Sequence, residues 1–162
     1  MSLAQLERLE STWQSEMQIG NSFFQSSEFG KAYCHYMDAM VVSEVLIENI
    51  TVSLQHSLRV PGMYYTACLN LASNYWCMQD IENAAAYFLY CTYKIKMLAD
   101  RPGVDLLLKQ TATVYWQKAV KAYTEFSDKT GSVIPVDMNE SETYLQLQKL
   151  KDLFKLPKEK MN

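Results

Sequence analysis

The sequence predicts an all-α chain, and three observations carry that prediction. Apolar residues recur at intervals of three and four, period-two alternation is almost absent, and turn residues gather at a few breaks. Five Gly and four Pro in 162 residues are few for a fold of many short strands. The length suits a single all-helical domain over 1–162, since domains usually run about 100–200 residues. A chain of that size buries roughly two-thirds of its unfolded surface and needs no covalent staple.

The elements follow in order. Leu3, Leu6, Leu9, Trp13, Met17, Gly20 and Phe24 advance by 3, 3, 4, 4, 3 and 4, which predicts a helix over 3–26. Beyond a weak break at Ser26-Ser27, Phe29, Ala32, Tyr36, Ala39 and Met40 keep the rhythm and predict a second helix over 28–58. Pro61-Gly62 separates it from a third over 63–79. Asp80 has the chemistry of an N-cap for a fourth over 81–99. Pro102-Gly103 precedes a fifth over 103–128. The turn-rich stretch from Asp128 to Asn139 leads to a C-terminal capping helix over 140–156, where Asn139 and Glu142 have capping-box spacing.

Composition narrows the function classes. Fifteen basic and eighteen acidic residues give a net charge of -3, which argues against a nucleic-acid binder. No apolar run approaches the 18 or more residues of a spanning helix. The first residues lack a positive leader and an apolar core, so a secretory signal is not expected. Cys34, Cys68, Cys77 and Cys91 form no CxxC pair and lie in apolar segments, as reduced, buried thiols of a cytoplasmic protein would.

The chain also resembles itself. Ile19-Gly20-Asn21-Ser22-Phe23-Phe24 lies over Leu71-Ala72-Ser73-Asn74-Tyr75-Trp76, and more faintly over Thr111-Ala112-Thr113-Val114-Tyr115-Trp116. Each copy places two aromatics three and four positions after a small residue. Ala32, Tyr36 and Ala39 then match Ala84, Phe88 and Cys91. A small residue lets a partner helix approach, and a ring one turn later fills the gap. Such hairpins cannot bury both faces alone, so they stack.

Gly20, Phe23, Ala32, Tyr36 and Ala39, with Ala72, Tyr75, Ala84, Phe88 and Cys91, resemble the tetratricopeptide repeat pattern. The resemblance covers about 13–46, 65–98 and a degenerate unit at 105–128, the last either a hairpin or one long capping helix. Copies lie 52 and then 40 residues apart, wider than that family's 34, and its Trp and Pro slots are empty. The resemblance implies stacked antiparallel hairpins in a right-handed superhelix. It also implies that Met17, Asn21, Phe24, Gln25, Leu69, Asn70, Ser73, Trp76 and Trp116 face a concave groove. Apolar anchors with amide partners there suit a peptide or helix of a partner protein.

Other chemistries fit the residues less well. A carboxylate grip at Asn21 and Asn70 lacks cations, since the matching slot holds Met17. Adjacent Cys34 and His35 point about 100° apart on a helix and cannot share a metal. His56 reads as isolated on an exposed helix face, and no nucleophile elbow or phosphate loop occurs. Glu44 and Glu48 share a face as any exposed helix allows. The tail opposes Leu147, Leu150, Leu153 and Phe154 to Lys149, Lys151, Lys155 and Lys158, which suits a polar-backed cap. The expectation is therefore a non-enzymatic adaptor or chaperone-like module without cofactor or metal. A self-associating homodimer is the alternative, and an enzyme with a site between helices is the third class.

Overall fold

A computed structural model describes residues 1–50 and 53–131, and the architecture there is all-helical. Five long helices and one single turn follow one another: α1 (Leu3–Gln25), α2 (Phe29–Glu48), α3 (Leu54–Ser57), α4 (Val60–Cys77), α5 (Ile81–Asp100) and α6 (Leu106–Thr130). The capping helix expected over 140–156 lies outside the described residues. Each long helix packs mainly on the next: α1 on α2, α2 on α4, α4 on α5 and α5 on α6, with α4 touching α6 lightly. Stacking by sequential neighbours is the behaviour of hairpin arrays.

Local chemistry sets the helix ends. Ser2 and Gln5 cap α1 reciprocally: Gln5 N donates to Ser2 Oγ at 3.2 Å, and Ser2 N donates to Gln5 Oε1 at 2.7 Å. Asp80 caps α5 as its type suggests, accepting from Asn83 N at 3.2 Å. Asp105 accepts from Leu107 N at 2.8 Å, so α6 begins three residues later than Pro102-Gly103 implied. Pro61 sits in the first turn of α4, where a missing N–H costs nothing, so that helix starts at Val60. At the far end of α6, Gly131 takes φ 72°.

One expected element is corrected. The second helix does not run to Leu58; α2 stops at Glu48. Asn49 Nδ2 donates to Val45 O at 2.9 Å, so its side chain takes up a carbonyl that the next turn would have used. The β-branched run Ile50-Thr51-Val52 follows, a poor helix continuation, and Ile50 is buried in the core. Ser57 Oγ shares its one proton between Ser53 O, at 2.6 Å, and Ile50 O, tying α3 back across the break.

The internal repeat is visible bond for bond in two turns. Ser27 and Gln79 both hold positive φ, 59° and 64°. Glu28 N donates to Phe23 O at 2.9 Å, and Asp80 N to Tyr75 O at 2.9 Å. Ser26 N pairs with Ser22 O as Met78 N pairs with Asn74 O. All these partners are 52 positions apart in sequence. Asn74 fastens one turn to the other hairpin, its Nδ2 donating to Phe29 O at 3.0 Å.

Small residues lie where the helices close. Ala32 and Ala84 have 0% exposure, as do Ala39, Ala72 and Cys91. A Cβ on Gly20 would stand 2.7 Å from the Tyr36 ring, so that glycine admits the ring. Phe126 of α6 closes the far end, with ring centroids 4.8 Å from Phe88 and 5.1 Å from Trp76. Fully burying each such ring contributes about 1.5–3 kcal/mol.

Candidate functional site

Asn21 and Asn70, from α1 and α4, meet directly. Asn70 Nδ2 donates to Asn21 Oδ1 at 3.0 Å, and Tyr36 Oη of α2 donates to the same oxygen at 2.8 Å. Asn21 is exposed and Asn70 half-buried. With both donors on one oxygen, Asn21 Nδ2 and Asn70 Oδ1 have no partner among the described residues. The site thus presents an amide donor beside an amide acceptor. Exchanging both amides end for end would still present one of each, so the pattern does not depend on amide orientation. Asn21 meets Asn70 and not its repeat counterpart Ser73, which places α1 and α4 one turn out of step.

The remaining predicted groove residues divide. Gln25 is exposed one turn beyond Asn21, and Ser73 is half-buried one turn beyond Asn70. Leu69 is half-buried and packs on the core edge. Phe24 packs edge-on against Phe29 at 5.5 Å and lies 6.5 Å from Tyr36, so it supports the α1–α2 turn. One expectation is corrected, and two rings are found in contact with other helices. Met17 is buried in the core and offers no thioether to a groove. Trp76 meets Phe126 and carries Lys129 over its ring at 5.8 Å, so it joins α4 to α6. Trp116 lies beneath Lys96 of α5, 4.9 Å from the ring centroid.

Its neighbour Tyr115 takes the α4 side instead, 5.6 Å from Tyr65 and directly over Gly62. A Cβ on Gly62 would come within 2.7 Å of the Tyr115 hydroxyl. The third repeat copy places two rings side by side, and periodicity alone could not say which turned to α4. Gly62, read as a breaker, was the available signal.

Charged pairs joining distant segments were missed. His56 is not on an exposed face: it is buried, with Nδ1 2.7 Å from Glu10 Oε1 of α1. Arg59 holds the other oxygen, Oε2, at 3.3 Å. His35 pairs with Glu16 at 2.6 Å, not with Cys34. Glu44 is no free carboxylate either. Tyr64 Oη donates to its Oε1 at 2.6 Å, Tyr90 Oη donates to the same oxygen, and Lys94 Nζ lies 2.9 Å from Oε2. That cluster joins α2, α4 and α5. Burial pushes the Tyr64 and Tyr90 hydroxyls well above the ordinary tyrosine range, and nearby Glu44 adds to the effect.

The cysteines split as well. Cys68 and Cys91 are buried, and burial raises the Cys68 thiol. Cys34 and Cys77 are exposed, contrary to the reading of four buried thiols. Each lies on the outer side of its helix, where an apolar sequence neighbourhood does not imply burial. Among the described residues no His, Cys, Asp and Glu cluster fits a metal, and no helix is long and apolar enough to cross a membrane.

Comparison with known proteins adds one finding. No curated protein and no solved structure matches the chain. Residues 11–155 match the family described as Protein of unknown function (DUF2753). That match covers most of the sequence, α1 to α6 included but for the first turns of α1, and the chain belongs to this family.

Proposed function

We propose that the protein is a non-enzymatic interaction module, a stack of tetratricopeptide-like hairpins that captures a peptide segment of a partner protein along α1 and α4. The observation that carries this reading is the Asn21–Asn70 pair. A peptide backbone needs one donor and one acceptor at each residue it lays down, and the pair offers both. Tyr36, itself buried, holds Asn21 in place, so little side-chain entropy remains to be lost on binding. Gln25 and Ser73 extend the polar edge by one turn. The equivalent turns at Ser27 and Gln79 support the repeat reading.

Panning a random peptide library against the immobilised protein tests this. Enriched peptides should bind Asn70→Ala about 3–10-fold more weakly, the loss of one backbone hydrogen bond of about 0.5–1.5 kcal/mol. Helicity by circular dichroism should be unchanged. An absence of enriched peptides, or equal binding to Asn70→Ala, would refute it.

A second reading is favoured by α6. Among the described residues nothing packs on one flank of α6, where Leu106 is 70% exposed, Leu107 50% and Val114 49%. A second copy pairing there would form a homodimer. Sedimentation at rising concentration should then show dimers lost in Val114→Glu, whereas a monomer at all concentrations removes this reading.

A further inference from the structure

A separate cavity opens between the first half of α1 and the segment after the helix break, with a volume of about 370 Å³. It lies some ~16 Å along α1 from Asn21, at 1.5 Å per residue. Its back wall is the clamp already described: both oxygens of Glu10 are taken, one by His56 and one by Arg59. With both oxygens engaged, Glu10 fixes the His56 and Arg59 side chains in place. Glu7, one turn earlier, lines the cavity and has no ion-pair partner among the described residues. Arg59 lines the same cavity, and its side chain is 52% exposed. A guanidinium has five N–H donors, and the clamp leaves part of that fork free. Gln14, Ser53 and Gln55 supply neutral hydrogen-bonding groups around the remaining wall.

We infer that this cavity binds a small zwitterion, a free α-amino acid whose ammonium is held by Glu7 and whose carboxylate is held by Arg59. Charge favours this class over its neighbours. Glu7, with no ion-pair partner among the described residues, disfavours a simple anion at this wall. Arg59 repels a ligand that is cationic throughout. The amides and hydroxyls suit a polar side chain, and the volume suits a metabolite-sized ligand rather than a folded partner.

L-glutamine is the probe, titrated calorimetrically into the full-length protein beside two blocked relatives. N-acetylglutamine lacks the ammonium, and glutaminamide lacks the carboxylate. Glutamine should bind saturably at millimolar concentration, and each blocked form at least tenfold more weakly. Glu7→Gln, an exposed change that leaves the Glu10 clamp intact, should lose glutamine binding by a similar factor. No saturable glutamine binding, equal binding of either blocked form, or unchanged binding in Glu7→Gln would each overturn the assignment. Peptide capture at Asn21 and Asn70 is unaffected by any of these results.

Discussion

Gly20 shows what one missing methyl group does in this chain. The Tyr36 ring fills the place of a Cβ, and its hydroxyl is held by Asn21, so the ring cannot swing away freely. Gly20→Ala should therefore destabilise the protein by about 1–3 kcal/mol despite alanine's better helix propensity. Gly30, whose Cβ would meet nothing within 4 Å, is the control. Gly30→Ala should be neutral or stabilising by up to about 1 kcal/mol, read from urea denaturation. The turn residues offer the converse. Gln79 pays a left-handed penalty at φ 64°. Gln79→Gly should raise stability by about 0.5–1 kcal/mol, the cost of that conformation less the entropy glycine adds to the unfolded chain. A loss of stability in Gln79→Gly would mean that the side chain contributes more than its backbone strain costs. Gly20 and its ring were legible from the spacing of small and aromatic residues. The Glu10–His56 pair was not, because 46 residues separate two groups that carry no local pattern.

Between helices, the Glu44 clasp is the sharpest test. One carboxylate receives two tyrosyl hydroxyls and a lysine from two other helices. Glu44→Gln leaves Lys94, largely buried, without its counter-charge, and stability should fall by about 3 kcal/mol. Tyr90→Phe removes one donor only and should cost about 1 kcal/mol. Comparable costs for the two variants would show that the lysine pair adds nothing. Amphipathic periodicity marked every long helix, since a helix packed on one side shows a 3.6-residue rhythm whatever its partner. It misplaced the end of α2 because Ile50, Val52, Leu54 and Leu58 keep apolar residues recurring beyond Asn49. The break came from a side chain competing for a carbonyl, which periodicity does not register. The choice between Tyr115 and Trp116 was hidden likewise, as it depends on the rotation of α6 about its axis.

Across the whole molecule, the tyrosines set a shared response to pH. Burial pushes Tyr36 and Tyr93 up to about 12 from an ordinary 10.0, and raises Tyr64, Tyr75, Tyr87 and Tyr90 further. A raised folded value means the unfolded chain ionises first, so stability is full below pH 10 and falls as pH climbs beyond it. Thermal midpoints should be insensitive to tyrosine ionisation at neutral pH and drop steeply above pH 10, with tyrosinate absorbance appearing together with loss of helix. Tyrosinate appearing gradually in a protein that stays helical would contradict the burial described. The repeat itself was readable at this scale, because two turns 52 residues apart had to use the same contacts. The stagger that brings Asn21 to Asn70 was not, since repeat alignment pairs Asn21 with Ser73.

The most direct test of peptide capture is the side-chain amide NMR spectrum of the protein titrated with an enriched peptide. The Asn21 and Asn70 carboxamide resonances should shift together, with Gln25 following, while those of Gln14 and Gln55 stay still. Shifts confined to α6 around Leu107 and Val114, with Asn21 and Asn70 unmoved, would contradict it.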